Sequence, residues 1–199
     1  PRLERNDGRV RLVVDGKPFV ALGAEVQNSS GSDLAHMKKT WPRLAALGCN
    51  TVLVPVSWEL LEPEEGRFDF RLPRGLLAGA RAHGLRLVLL WFGTWKNAES
   101  TYVPAWVKRD LARFPRGQPE PGKNSRAVSA FCEACREADA RAFARLMRWL
   151  REHDRARTVI MVQVENEAGF LGAARDQGPA AEKAYTAPVP AVLTETLAA

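Results

Sequence analysis

Two glutamates separated by one asparagine, Glu165-Asn166-Glu167, directly follow an apolar run of strand length at residues 159–164. Hydrolysis of a glycosidic bond needs one carboxylic acid to protonate the leaving oxygen and a second carboxylate on the other side of the anomeric carbon. Desolvation and a neighbouring carboxylate both raise the pKa of a glutamate, which lets it act as that acid near neutral pH. Such a triplet is as often a pair of solvated acids, so the strand context carries the prediction that Glu167 is a general acid/base.

Polar and aromatic side chains follow the other apolar runs of the sequence in the same way. Aromatic rings stack on the C–H faces of sugars, and amide, carboxylate and ammonium groups bind their hydroxyls, although single tryptophans such as Trp91 and Trp106 are more often core residues. Because residues i and i+2 of a strand share a face, Glu165 is expected to point the same way as Glu167. The candidate substrate-binding residues are Gln27, Trp58, Glu59, Trp95, Lys96, Asn97, Glu165 and Asn166.

The elements that must position these residues alternate between strands and helices. An Asp15-Gly16 turn between residues 10–14 and 18–20 predicts a β-hairpin at the start of the chain. Four β/α-type units in order then predict a parallel sheet with helical crossovers. The predicted strands are residues 21–26, 51–56, 85–92 and 159–164, and the predicted helices are residues 34–47, 75–83 and 129–152.

Two α/β architectures satisfy this order, an open doubly wound sheet and a closed (β/α)8 TIM barrel. The sequence has neither a GxGxxG fingerprint nor a P-loop, which argues against a nucleotide-binding open sheet. Polar residues collected at the C-terminal ends of parallel strands are typical of a barrel active site. A barrel of eight units takes about 250 residues, so residues 1–199 are expected to form the first four units of one truncated barrel domain, preceded by the hairpin.

Composition excludes several other classes of protein. The net charge of +6 comes from arginines spread along the chain rather than from a clustered basic stripe, which argues against nucleic-acid binding. No apolar run approaches the roughly 20 residues of a membrane-spanning helix. The Cys132-Glu-Ala-Cys135 pair has metal or redox spacing, but no second pair follows, so two small residues at a helix start are the favoured interpretation. No motif indicates a metal or cofactor.

Two segments resemble a known family. Residues 160–169 read Ile-Met-Val-Gln-Val-Glu-Asn-Glu-Ala-Gly and resemble the Q-[VI]-E-N-E-x-G segment of family 35 glycoside hydrolases, which are β-galactosidases of the large retaining (β/α)8 clan. Residues 58–70 are similar to the second-strand motif of that family, which ends in E-P-x-x-G-x-F-D-F. The resemblance implies that Glu167 is the acid/base, that Asn166 binds the sugar, and that terminal β-D-galactosyl residues are hydrolysed.

The sequence also departs from the family pattern. The region Trp95-Lys96-Asn97 stands where the third-strand pattern has a substrate-binding glutamate, which leaves the exact sugar open. The nucleophile of the clan is a glutamate after the seventh strand, which is expected beyond Ala199, and Glu195 lies in an Ala-rich tail that makes it a poor substitute.

Three interpretations follow from these departures. The chain carries part of a β-galactosidase, it is a carbohydrate-binding or incomplete barrel without turnover, or it acts on another β-glycoside or a uronide whose carboxylate Lys96 would contact. The isolated chain is expected to be poorly stable, to aggregate or to dimerise, because a half barrel exposes strand edges. The sequence gives no oligomeric state for the parent, and the resemblance implies a periplasmic or secreted protein.

Overall fold

The computed structural model describes residues 1–169 and 173–198, and it begins with a small antiparallel sheet. Strands β1 (Arg2–Asn6), β2 (Arg9–Val14) and β3 (Lys17–Pro18) pair in that order. The hairpin around Asp15-Gly16 is confirmed, and both of its turn residues have positive φ, 51° and 77°. Strand β1 was not predicted, because its charged sequence lacks the alternation of a strand.

A four-stranded parallel sheet follows, in the order of the sequence. Its strands are β4 (Gly23–Glu25), β5 (Thr51–Ser57), β6 (Arg86–Phe92) and β7 (Val159–Val164), and each pairs in parallel with its neighbour along the chain. Three of the predicted strands are therefore confirmed nearly to the residue. The predicted strand 21–26 is shorter and largely exposed rather than buried, because β4 pairs on one side only.

Seven helices connect or flank these strands in the described chain, and they are α1 (Leu34–Ala46), α2 (Trp58–Leu61), α3 (Arg71–Ala82), α4 (Ala105–Arg109), α5 (Glu133–His153), α6 (Pro179–Tyr185) and α7 (Ala191–Ala198). Helix α3 begins four residues before the predicted start, because the Asp69 carboxylate accepts a hydrogen bond from Arg71 N at 2.8 Å. Helix α5 begins four residues after the predicted start, because the Cys132 sulfur caps it by accepting from Cys135 N at 3.4 Å.

The core lies between the parallel sheet and helices α1, α3 and α5. Fully buried valines and leucines of β5 and β6 meet aromatic and aliphatic side chains of the helices, as expected for strands that read as continuous apolar runs. Helices α1 and α3 approach closely at Gly79, where a Cβ atom would lie 2.8 Å from Trp41 Cε2. The packing fixes β5 and β6, and thereby the loops at their C-terminal ends.

The outer strands of the parallel sheet are less covered than its centre. Met161 and Val164 of β7 are 48% and 58% exposed, and Leu22 beside β4 is 58% exposed. Both outer strands, β4 and β7, have one sheet neighbour each among the described residues, so the sheet is open. Within the described residues, no helix is both long enough and apolar enough to cross a membrane.

Candidate active site

An open cleft lies at the C-terminal ends of the parallel strands. It has a volume of about 600 Å³ and is lined by residues 25–30 after β4 and by Lys96, Asn97 and Tyr102 after β6. The structure thus brings together Gln27, Lys96 and Asn97, which the sequence analysis selected from separate segments. Amide, hydroxyl and ammonium groups dominate the lining, which suits a ligand rich in hydroxyls.

Lys96 connects the cleft to the end of β7. Its Nζ donates a hydrogen bond to Asn166 Oδ1 at 2.8 Å and a second, shorter one to Asn97 Oδ1. The ammonium also lies 5.2 Å from the centroid of the Phe92 ring, a favourable cation–π distance. The main chain adds a further link, because Ala98 N donates to Glu167 O at 2.9 Å. Asn166 and Glu167 are therefore held beside the loop that carries Lys96 and Asn97.

Glu165 and Glu167 do not share a face, which corrects the sequence expectation. Strand β7 ends at Val164, and both glutamates have left-handed backbone conformations, with φ of 62° and 51°. Side-chain alternation holds only in extended backbone, so the two carboxyl groups diverge. Glu167 is exposed, whereas Glu165 is partly buried and accepts hydrogen bonds from Thr94 N at 3.0 Å and Trp95 N at 2.7 Å.

Asp139 of α5 is a buried acid that the sequence analysis missed. It accepts hydrogen bonds from Trp91 Nε1 at 2.8 Å, Thr94 N at 2.7 Å and Thr94 Oγ1 at 2.6 Å. Burial, together with a hydrogen bond and charge repulsion from Asp139, raises the pKa of Glu165 to about 9. The sequence signal that could have identified Asp139 is an aspartate between two alanines on the apolar face of an amphipathic helix.

Trp58 and Trp95 do not offer ring faces to the cleft. Trp58 is fully buried, packs edge-on against Trp106 at 5.6 Å and donates from Nε1 to Glu62 Oε2 at 2.7 Å. Trp95 is 7% exposed and lies behind the cleft. A buried ring cannot stack on a sugar, so the structure corrects their prediction as stacking residues. Tyr102 is the aromatic residue among those that line the cleft.

The carboxyl groups of Glu59 and Glu62 form hydrogen bonds within the protein and have structural roles. Glu59 Oε2 accepts from Lys108 Nζ at 2.9 Å, which joins α2 to α4. Glu62 is buried, and its second oxygen accepts from Gly66 N at 2.7 Å. Gly66 has a φ of 78°, so the motif glutamate and glycine together close the loop before α3. The E-P-x-x-G pattern is thus explained by loop geometry.

The two neighbouring cysteines are reduced and enclosed by protein. Cys132 caps α5, and Cys135 lies 3.5 Å from Thr94 Oγ1. Burial raises the pKa of the Cys135 thiol to about 12, so it is protonated and a poor metal ligand at neutral pH. In residues 1–169 and 173–198, no cluster of three or more histidine, cysteine or acidic residues is placed to hold a metal ion.

Comparison with protein families gives one match over most of the chain. The family described as glycosyl hydrolases family 35 matches residues 11–196. A protein of Xanthomonas manihotis named beta-galactosidase is 31% identical over 164 residues, which are 80% of this chain and 25% of that protein. A beta-galactosidase-1-like protein 3 of Rattus norvegicus is 29% identical over 168 residues, which are 81% of this chain and 24% of that protein. The chain spans about a quarter of the length of these curated relatives.

Solved structures of glycosidases share the fold. A beta-galactosidase of the psychrophilic Marinomonas ef1 has a TM-score of 0.60 at 15% identity, over 81% of this chain and 24% of that one. A family 42 beta-galactosidase of G. stearothermophilus has a TM-score of 0.58 at 19% identity, over 82% of this chain and 23% of that one. These structures are TIM-barrel glycosidases, so the parallel sheet with its helices is part of a (β/α)8 barrel.

Proposed function

The chain belongs to family 35 of the glycosyl hydrolases, and from this premise we propose that it carries part of the active site of a retaining β-galactosidase. Its substrate is a terminal β-D-galactosyl residue of an oligo- or polysaccharide, and Glu167 is the general acid/base. The observation that carries the proposal is the position of Asn166-Glu167, directly after the fourth parallel strand and bonded to the Lys96 loop of the cleft.

In this proposal Glu167 protonates the glycosidic oxygen as the bond to the anomeric carbon breaks. The side chain is exposed beside the cleft, where a bound sugar would cover it. After the aglycone leaves, the same carboxylate takes a proton from the water that releases the galactose. Both steps need a carboxyl group that can gain and lose a proton. An ion pair would favour the charged form of the carboxylate and hinder this exchange.

Asn166 and Lys96 bind the sugar beside the reacting bond. Because Asn166 Oδ1 accepts from Lys96 Nζ, the amide NH₂ of Asn166 is the group left to donate to a sugar hydroxyl. Lys96 uses two of its three N–H donors on the amide oxygens of Asn97 and Asn166. Gln27 adds an exposed amide from the opposite side of the cleft. This donor set favours a neutral, hydroxyl-rich sugar over a uronide.

A retaining mechanism also needs a nucleophilic carboxylate, roughly 5 to 5.5 Å from the acid/base. We propose that a later strand of the barrel supplies it, as the family resemblance implies, and that Glu195 does not. Glu195 lies on the exposed helix α7, whose residues are predominantly apolar and solvent-facing. The competing proposal is a carbohydrate-binding barrel that lacks turnover, and a periplasmic or secreted location stays a prediction.

A panel of p-nitrophenyl β-galactoside, β-glucoside, β-mannoside and β-glucuronide, given to the full-length protein, tests this function. We expect the galactoside to have the highest kcat/KM and the Glu167→Gln variant to lose about 100-fold or more on it, the usual size of a general acid/base contribution. Glu137→Gln, at an exposed glutamate of α5, is the matched control and should leave kcat/KM unchanged. Hydrolysis of the glucuronide alone, or equal kcat/KM values of Glu167→Gln and Glu137→Gln on the galactoside, would contradict the proposal.

A further inference from the structure

A second cavity lies behind the cleft, between the C-terminal ends of β6 and β7 and the start of α5. It has a volume of about 310 Å³ and contains the carboxyl groups of Asp139 and Glu165. Its walls are mostly apolar, with Trp91, Trp95 and Phe143 among them. Neither acid takes part in the proton transfer proposed for Glu167, although two carboxyl groups in such surroundings are costly unless they are paired and hydrogen-bonded.

Both carboxyl groups bind the main chain that follows β6. Thr94 N donates to Asp139 Oδ2 at 2.7 Å and to Glu165 Oε1 at 3.0 Å, and Trp95 N donates to Glu165 Oε2 at 2.7 Å. Gly93 fits against the pair because it has no side chain. A Cβ atom there would overlap Glu165 Oε1 and lie 2.5 Å from Asp139 Oδ1. Asp139 on α5 and Glu165 directly after β7 therefore enclose residues 93–95.

These contacts complete a ring of hydrogen bonds that reaches the cleft. Glu165 accepts from Trp95 N, and the next residue, Lys96, donates to Asn166, which follows Glu165 in the chain. The ring thus holds Lys96 and Asn166 in register with each other. A shift of residues 93–95 would move Lys96 relative to Asn166, because only one peptide bond separates Lys96 from Trp95.

We propose that Asp139 and Glu165 are positioning residues whose adjacent carboxyl groups together fix the loop 93–96 against Asn166-Glu167, so that they set the geometry of the cleft. The proposal deepens the proposed function and rests on it for its catalytic consequence. Two adjacent carboxylates in a poorly solvated cavity repel each other unless a proton lies between them. Loss of that proton therefore releases the loop.

Few other charged groups face this pair. From α5 and its N-terminal cap, Cys132, Cys135 and Arg136 line the cavity together with Asp139, and burial raises the pKa of the Cys132 thiol. The residues of β6 and its loop that line the cavity, Trp91, Thr94 and Trp95, do not titrate. Arg136 is ion-paired with Glu133 on the helix surface. Burial keeps the pKa of Cys135 near 12, so its thiol stays neutral where the carboxyl pair titrates. The pH response of this region is thereby assigned to Glu165, which lies beside Asp139.

Hydrogen exchange of the amides of Thr94 and Trp95 between pH 6 and 10 tests the shared proton without any need for enzymatic activity. In the full-length wild-type protein, protection factors should fall at least tenfold toward the alkaline end. Glu165→Gln replaces the shared proton with an amide NH₂ and should abolish this pH dependence, and Glu165→Leu should lower protection at every pH. Protection that is independent of pH in the wild type, or unchanged in Glu165→Leu, would overturn the proposal.

The pH profile of kcat/KM on the preferred glycoside tests the catalytic consequence. The ratio of the wild-type kcat/KM to that of Glu165→Gln should fall toward alkaline pH, because deprotonation of the general acid lowers both rates alike and only the wild type also releases the loop. Glu165→Leu should lose tenfold or more at all pH values. The expected exchange result without turnover on any glycoside would support the positioning role and reject the proposed function. If the pH profile of kcat/KM in Glu165→Leu matched that of the wild type, the positioning role would be overturned, whereas the proposed function would be unaffected.

Discussion

At the scale of single residues, backbone conformation separates the roles of the two glutamates around Asn166. A φ of 62° at Glu165 directs its carboxyl group toward Asp139 and the main chain after β6, whereas Glu167 stays exposed beside the cleft. The sequence located this triplet at a strand end, because apolar length and order along the chain predict strands. It did not give the orientations, because left-handed backbone at a non-glycine residue has no local sequence signal.

The raised pKa of Glu165 predicts that stability falls with rising pH. Its folded value of about 9 exceeds the ordinary 4.5, so the folded state binds more protons between these values. Its stabilising contribution is complete below pH 4.5 and is lost as pH rises toward 9. The free energy of urea unfolding should therefore decline from pH 5 to pH 8 in the wild type and less in Glu165→Gln. Parallel curves for the two proteins would contradict this assignment.

Asp154 predicts the opposite response in acid. It accepts from Thr158 N at 2.9 Å, Val159 N at 2.8 Å and Arg81 at 2.6 Å, and these bonds hold its pKa below the ordinary value against desolvation. Its contribution is present above pH 3.8 and is lost as pH falls through the folded value. Asp154→Ala should lower the free energy of unfolding at pH 7 by about 2–4 kcal/mol, because it leaves buried donors unpaired. A change under 1 kcal/mol, measured with urea, would show that these bonds contribute little.

At the scale of elements, the strands that were predicted best are those with a continuous apolar run of strand length, and this includes β7, which forms over 159–164 as predicted although it lies at the exposed edge of the sheet. Residues 51–56 and 85–92 form β5 and β6 almost as predicted, since a continuous apolar run of strand length is typical of a buried parallel strand. The start of α5 and the short strand β4 were predicted less well. Their bounds depend on a sulfur cap and on an unpaired sheet edge, which only the folded chain defines.

Two glycines of α3 give a matched test of helix packing. A Cβ at Gly79 would overlap the rigid indole of Trp41, whereas a Cβ at Gly75 would meet only the flexible methyl groups of Leu34, Cδ2 at 2.7 Å. Overpacking costs about 1–3 kcal/mol, and alanine gains roughly 1 kcal/mol of helix propensity over glycine. Thermal unfolding should show Gly79→Ala to be clearly less stable than Gly75→Ala. Equal melting temperatures would mean that α1 and α3 separate easily.

At the scale of the whole molecule, the parallel sheet ends, within the part of the chain that the structure describes, in two strands with open edges. Strand β7 exposes Met161 and Val164, and helix α5 exposes Met147 beside it. In the complete barrels of similar structures, further strands continue such a sheet until it closes. That residues 1–199 form one truncated domain stays a prediction.

Self-association of the isolated 199 residues follows from these edges. Unpaired N–H and C=O groups beside apolar side chains can form hydrogen bonds with a strand of another chain. Light scattering after gel filtration at two concentrations should show dimers or larger species that increase with concentration, and Met161→Lys should reduce them. A monomer that melts cooperatively at both concentrations would contradict the expectation of an incomplete barrel.

The central claim, that Glu167 is the acid/base of a retaining glycosidase, is tested most directly by how the rate of Glu167→Gln depends on the leaving group. A dinitrophenyl galactoside leaves without protonation, whereas lactose needs an acid. The account predicts that kcat/KM falls about 100-fold or more on lactose and far less on the dinitrophenyl galactoside, with Glu137→Gln unchanged on both. Equal losses on the two substrates would contradict the assignment of Glu167 as the proton donor.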